Sequence, residues 1–419
     1  MADEEKTAPA LRFKGFSDAW EQRKFEEMLD KNDGVRRGPF GSSLKKEIFV
    51  ENSDYVVYEQ QNAIYDNYKT RYNISKEKFD ELHKFSLKEN DFIMSGAGTI
   101  GRISRVPKGI KPGVFNQALI RFRINSELTD PKYFLQFIRA ENMQRKLTGA
   151  NPGSAITNLV PMTEVKNWEI FVPAKAEQIK IGDFFKNLDN TIALHQRKLT
   201  LLKQLKQTYL QALFPQSELN IPTLRFARFS DSWEQRKVSS LAKETFGGGT
   251  PKTGVKKYWK GSFPWIQSSD LTTNQLHNVQ PTKFITEEAI KQSATHNVPG
   301  NSIAIVTRVG VGKLALMRSS YSTSQDFLSL SNLNVDAVFG VYCLYKMLQR
   351  EVNNIQGTSI KGITKADLLG KCVSVPTKVE EQVKIGAFFK KIDDTIDFHE
   401  SKLKHILELK KAFLEKMFL

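Results

Sequence analysis

Cysteine is scarce in this 419-residue chain: only Cys343 and Cys372 occur, both in the second half. Neither a disulfide framework nor a paired-cysteine zinc site can be built from them, so zinc fingers are excluded and a reducing, cytoplasmic setting is expected. The six histidines form no recognisable triad. No apolar run approaches the ~20 residues that span a bilayer. The opening Met1-Ala2-Asp3-Glu4-Glu5-Lys6 has no signal-peptide core, so no membrane role is expected. Acid is also in deficit, 46 Asp and Glu against 62 Lys and Arg, which leaves a formal charge of +16. Such a surplus favours a polyanionic partner, because Lys and Arg displace condensed counterions from phosphate backbones.

What the chain does have is a second copy of itself. Leu11-Arg12-Phe13 through Trp20-Glu21-Gln22-Arg23-Lys24 returns as Leu224-Arg225-Phe226 through Trp233-Glu234-Gln235-Arg236-Lys237, with 11 of 14 positions identical. Glu177 to Phe214 returns at Glu381 to Phe418 with 18 of 38 identities. The offsets, 213 and 204, make the repeat about half the chain. The plan reads as a lead-in segment (1–24), a variable domain (25–174), a helix (175–216), then a second lead-in (217–237), variable domain (238–376) and helix (377–419). Short alternating runs such as Tyr55-Val56-Val57-Tyr58, Phe92-Ile93-Met94 and Ser302 to Val306, bounded by turn formers, predict strands. Helical stretches are expected at Pro131 to Leu147 and Val338 to Val352, giving two tandem mixed α/β (α+β) domains.

The two helices carry apolar residues at steps of four and three: Ile181, Phe185, Leu188, Ile192, His195, Leu199, Leu202, Lys206, Tyr209 and Leu213, against Ile385, Phe389, Ile392, Ile396, His399, Leu403, Ile406, Lys410, Phe413 and Met417. A sustained 3.5-residue repeat is a coiled-coil seam, about 50 Å long at ~1.5 Å per residue. The four matching His and Lys positions either set helix register or mark polar breaks near solvent. Because a compact domain brings its ends close together, the second helix is expected to run back along the first, giving an antiparallel pair with pseudo-two-fold symmetry.

Three motifs together carry a family resemblance: Phe-Ser-Asp-x-Trp-Glu-Gln-Arg-Lys; Gly248-Gly249-Thr250-Pro251 followed by Tyr258-Trp259-Lys260-Gly261 and Pro264-Trp265-Ile266; and the run Pro-x-x-x-Glu-Gln-x-x-Ile-Gly-x-Phe-Phe ahead of a long helix. The chain resembles the specificity subunit of a type I restriction-modification system. The resemblance implies two target recognition domains, each reading half of a bipartite double-stranded DNA site, and helices that space the halves and dock two methyltransferase subunits. It also implies restriction/translocase subunits joining through the assembled complex. S-adenosylmethionine, ATP and magnesium would then belong to the partners, with no cofactor on this chain. The first domain departs from the pattern, with Arg37-Gly38-Pro39-Phe40-Gly41-Ser42-Ser43 in place of the second domain's Gly-Gly-Thr-Pro.

Catalytic motifs fail in context. Gly96-Ala97-Gly98-Thr99-Ile100-Gly101 fits a dinucleotide fingerprint, but the following Arg102 to Val106 alternates like a strand and meets Pro107, so a hairpin is expected. Asp397 lies three turns from Glu408-Leu409-Lys410 on one helix, too far to share a metal with it. No Asn-Pro-Pro-Tyr-like methyltransferase segment occurs. The chain reads as non-enzymatic.

Base reading needs Arg or Lys for guanine, Asn or Gln for adenine and carboxylates for cytosine. In the first domain the candidates are Lys45, Lys46, Tyr58, Gln60, Gln61, Asn62, Lys69, Arg71, Arg102, Asn116, Gln117, Asn151 and Ser154. In the second they are Lys252, Thr253, Gln267, Ser268, Ser269, Asp270, Arg308, Lys313, Ser324, Gln325, Asp326, Thr358, Ser359 and Lys361. Asn116-Gln117 is expected to match Gln325-Asp326, and Gly153-Ser154 to match Thr358-Ser359. Tyr258, Trp259 and Trp265 are expected in the core. The competing reading is a duplicated basic scaffold without DNA sequence preference. Salt-sensitive binding to one duplex and not to its scramble separates the two.

Overall fold

The structure is a computed structural model that describes residues 7–39, 43–149, 161–216, 220–354 and 362–419. It divides into two compact units, one of Met1–His195 with Lys402–Leu419, the other of Gln196–Ser401.

The repeated Glu-Gln dipeptide is the hub of each unit. In the first, the buried Glu177 accepts two bonds from the Arg12 guanidinium (2.9 and 2.7 Å) and one from the Trp20 indole (3.2 Å). Its neighbour Gln178 accepts from the Asp130 backbone N–H (2.9 Å) and donates to the carbonyls of Leu128 and Pro173. Asp130 in turn caps the helix Pro131–Arg139 by accepting from the N–H groups of Lys132 and Tyr133. In the second unit Arg225 grips Glu381 at the same two distances, and Gln382 joins Asp336 to Pro376. Trp233, buried at the place of Trp20, has no acceptor for its indole N–H among the described residues. The glycine of the same motif allows close approach: a Cβ at Gly182 would lie 2.8 Å from Asp130 and Lys132 atoms, and one at Gly386 would lie 2.8 Å from the Phe339 nitrogen.

The long helices are Lys175–Ala212 and Val379–Lys416. Each unit contains one antiparallel segment of their pairing. In the first, Phe184 meets Phe413 (ring centroids 5.0 Å) and Phe185 meets Phe418 (5.9 Å). In the second, Tyr209 meets Phe388 (4.9 Å) and Phe214 meets Phe389 (6.0 Å). Ile181, Phe185, Ile192, Leu199 and Lys206 are buried on the first helix, as are Ile385, Phe389, Ile392, Ile396 and His399 on the second, and Leu213 and Met417 are buried just past the helix ends; Leu188, His195, Leu202, Leu403, Ile406 and Lys410 are half-buried. The lead-in segments cap helix ends: Leu11 N–H donates to the Lys416 carbonyl (3.0 Å), and Leu224 N–H to that of Ala212 (2.9 Å).

Among the described residues, a two-stranded sheet ties each lead-in segment to the end of its variable domain, Glu21–Lys24 with Glu169–Val172 and Glu234–Lys237 with Cys372–Val375, and each variable domain holds two further sheets. In the first, Val35–Arg37, Leu119–Phe122, Phe92–Ser95 and Ile103–Arg105 form an antiparallel sheet, and Phe49–Val50, Tyr72–Ile74, Tyr55–Tyr58 and Gly113–Phe115 form a mixed one. In the second, Ala242–Gly247, Phe327–Leu333, Ser302–Val306 and Leu314–Met317 lie beside a sheet of Lys283–Ile285, Phe263–Ile266 and Ser322–Thr323. The glycine-rich runs are hairpin turns, because Phe92–Ser95 pairs antiparallel with Ile103–Arg105 and Ser302–Val306 with Leu314–Met317. The expected single helix from Pro131 to Leu147 is broken in two at Ala140, whose extended ψ of 143° ends Pro131–Arg139 before Glu141–Leu147 begins. Tyr258 and Trp265 are buried and Trp259 half-buried, with Trp259 packed edge-on against Trp265.

Candidate nucleic-acid interface

Long-range backbone bonds bring loops to one edge of each variable domain. In the first unit, Asn116 N–H donates to the Tyr58 carbonyl (3.0 Å), Gly96 N–H to Ala118 (2.7 Å) and Gly38 N–H to Leu119 (2.9 Å). The Gln60 amide donates to the Ala97 carbonyl, and Gln144 clamps Gly101 (3.0 Å). The loop after Tyr58, the glycine hairpin and the Asn116-Gln117 turn therefore share one edge. In the second unit, Ser324 N–H donates to Ile266 (2.9 Å), Thr307 N–H to Asp326 (2.7 Å) and Gly249 N–H to Thr323 (2.9 Å). Lys313 Nζ holds the Ser268 carbonyl (3.1 Å), and Ile363 N–H joins at Thr307 (2.8 Å).

Not every candidate is available at this edge. Tyr58 is a core residue, its ring buried and its hydroxyl given to the Lys111 carbonyl (2.7 Å). Asn62 is also buried: it caps its own helix through Glu59 N–H (2.6 Å) and holds the carbonyls of Asn67 and Lys69. Both corrections have one cause, the demand that buried polar atoms find partners inside the fold. Ser324 is buried beside Asp326, and Asp270 accepts from Gln267 N–H (2.9 Å) and the Thr282 hydroxyl (2.6 Å). Arg71 forms a two-pronged pair with Glu59 (2.8 and 3.0 Å), which the sequence reading did not foresee. Lys45, Lys46, Lys69, Arg102, Gln117, Lys252, Thr253, Ser269, Arg308 and Gln325 are exposed; Gln60, Gln61, Asn116, Gln267, Ser268, Lys313 and Asp326 are half-exposed. Asn151, Ser154, Thr358, Ser359 and Lys361 lie outside the described residues.

The expected match of Asn116-Gln117 with Gln325-Asp326 is off by one. The parallel strand pairs align Tyr58 with Phe115 and Ile266 with Thr323, so Asn116 corresponds to Ser324 and Gln117 to Gln325. A pair of glycines agrees: a Cβ on Gly38 would fall 1.9 Å from the Asn116 carbonyl oxygen, and one on Gly248 would fall 1.8 Å from that of Ser324. Thr250, absent from the sequence-based candidates, donates its hydroxyl to Gln325 Oε1 (2.6 Å). Only the motif Gly248-Gly249-Thr250-Pro251 pointed toward it.

Among the described residues no group of His, Cys, Asp and Glu could hold a metal ion, and no helix is long and apolar enough to cross a membrane. What the edges offer is amide, hydroxyl and cationic groups on turns fixed by backbone bonds, a chemistry of recognition.

The class these features define is a duplicated α/β chain with paired long helices and a loop-bearing edge in each half. Residues 18–204 and 230–408 match the type I restriction modification DNA specificity domain, and the chain belongs to that family as a specificity subunit, a non-catalytic class. It is 30% identical over 182 residues to the MjaIX specificity subunit of Methanocaldococcus jannaschii, covering 42% of this chain and 41% of that protein. It is 28% identical over 181 residues to the EcoR124I/EcoR124II specificity subunit of Escherichia coli, covering 41% and 43%. The chain thus spans under half the length of these two relatives. The fold is shared with the type I S subunit of M. genitalium (TM-score 0.64, 16% identity, 98% of this chain and 99% of that one). It is also shared with a chain from a study of type I complex assembly (TM-score 0.54, 15% identity, 95% and 97%).

Proposed function

We propose that this chain selects the DNA target of a type I restriction-modification complex, each variable domain reading one half of a bipartite double-stranded site while the long helices space the halves. The observation that carries this reading is the repeated edge: equivalent backbone bonds hold Asn116 and Ser324, and Ala118 and Asp326, so one scaffold presents different side chains twice. Two different half-sites call for that arrangement.

The helices dock two methyltransferase subunits, through which restriction/translocase subunits join. Exposed apolar positions support two copies of one partner, since Ile179, Leu194 and Leu409 in the first unit recur as Val383, Phe398 and Leu205 in the second. S-adenosylmethionine, ATP and magnesium act in those partners, and the complex works in the cytoplasm.

The test is to map methylated adenines in host DNA with and without the gene. Methylation of a two-part motif that disappears with the gene is the expected result. A gene-independent pattern would overturn the reading in favour of a scaffold without sequence preference.

A further inference from the structure

Among the described candidates, Gln117 and Gln325 alone are the same exposed residue at the same place in both domains. Their neighbours vary, Asn116 and Ala118 against Ser324 and Asp326. Each turn is anchored on both sides, through Asn116 N–H to Tyr58 and Gly96 N–H to Ala118 in one domain, and through Ser324 N–H to Ile266 and Thr307 N–H to Asp326 in the other. Each is also pressed by a glycine, Gly38 or Gly248, that no larger residue could replace without moving the turn. A side chain that is held so firmly at its base, yet is itself exposed, is positioned for a ligand rather than for packing.

Resting on the reading above, we propose that Gln117 and Gln325 are one reader used twice, each recognising a stacked adenine from the major groove. The carboxamide offers one acceptor and two donors, and this set matches the N6 amino group and N7 of adenine in a bidentate contact. In the second domain the Thr250 hydroxyl occupies one lone pair of Gln325 Oε1. Among the described residues nothing else bonds this amide, so its other lone pair and both N–H groups are available to the base, while the amide is held from rotating. The two half-sites therefore share an A·T pair at the same distance from the gap, and differ elsewhere because the flanking residues differ.

The experiment uses the chain assembled with its methyltransferase subunits, acting on a plasmid library randomised across the target. Gln117→Ala should relax one A·T position in one half by about tenfold or more, and Gln325→Ala the matching position in the other half. The untouched half serves as the folding control for each variant. Placing 7-deazaadenine, which lacks the N7 acceptor, at that position should lower wild-type methylation about tenfold and leave the alanine variant unchanged. A relaxed G·C position, an intact motif in both variants, or a rate loss equal on all sequences would overturn the proposal while sparing the wider reading. A wild-type complex without sequence preference would overturn both.

Discussion

Lys206 Nζ lies 2.6 Å from Asp393 Oδ1, with both side chains almost fully buried. Tyr342 donates its hydroxyl to the other carboxylate oxygen (2.7 Å), and the lysine lies over the rings of Tyr342 and Tyr345. Burial pushes the Asp393 carboxyl above its ordinary pKa, and Lys206 pulls it back in part. The pair recurs as Lys410 with Asp189, again 2.6 Å, but this copy is more exposed and takes Gln136 in place of Tyr342. A lysine on an apolar seam thus has its aspartate on the antiparallel helix, so a slip of one turn would leave both charges unpaired.

Lys206→Met should cost the second unit about 3–5 kcal/mol, because it strands a buried carboxylate. Lys410→Met should cost the first unit no more than about 1 kcal/mol, since solvent screens that pair. Adding Asp393→Leu to Lys206→Met should recover most of the loss. Native-state hydrogen exchange in urea, read separately for each unit, measures all three, and equal losses for the two lysines would contradict the assignment.

His277 makes the second unit sensitive to mild acid. Its Nε2 lies 3.1 Å from the Tyr342 hydroxyl, whose own proton is given to Asp393, so the imidazole is the donor. Burial first, then the charges of Lys390, Arg318 and Lys206, lower its pKa from 6.5 to about 4. Between these values the unfolded chain binds a proton that the folded one does not. The stability from neutral His277 is therefore complete above about pH 6.5 and is lost progressively as the pH falls toward 4. Asp393, with its raised pKa, acts in the opposite direction, so the comparison is between wild type and His277→Gln. The variant should lose less stability than wild type as the pH falls from about 6.5 to 4, measured by urea unfolding at stepped pH.

Gly248→Ala and Gly38→Ala should each displace the turn that the proposal makes a base reader, because the added methyl would overlap the Ser324 or Asn116 carbonyl. The expected outcome is loss of discrimination in one half-site with the other unchanged. Methylation-motif sequencing of the assembled complex checks it, and a loss spread over both halves would contradict it.

If the helices space the half-sites, heptads inserted after both Thr200 and Lys404 should lengthen the gap. Seven residues keep the seam in phase and add about 10.5 Å, roughly three base pairs at ~3.4 Å each. A selection on targets with randomised gaps reads the result, and a folded variant that keeps the original gap would refute the spacing role.

Some of this was legible in the chain alone. The repeat, the seams of the long helices and the hairpin after Gly96 follow from local periodicity and turn residues, which act within a few positions of sequence. The Glu177-Gln178 and Glu381-Gln382 dipeptides were visible as motif but not as hubs, since their partners Arg12, Asp130, Arg225 and Asp336 lie far away in sequence. Tyr58 and Asn62 were misread for a related reason: a polar residue in a loop-like stretch looks the same in sequence whether it meets solvent or an internal carbonyl.

The sequence by itself determined that there are two copies of one plan, which faces of the helices are apolar, and that no metal-binding cysteine framework is present, because composition and period decide these. Tertiary structure alone decided which aspartate each seam lysine meets and that Gln117 answers to Gln325. Both depend on hydrogen bonds and ion pairs closed across more than fifty residues. Such contacts are set by how strands and helices pack, which local pattern does not encode.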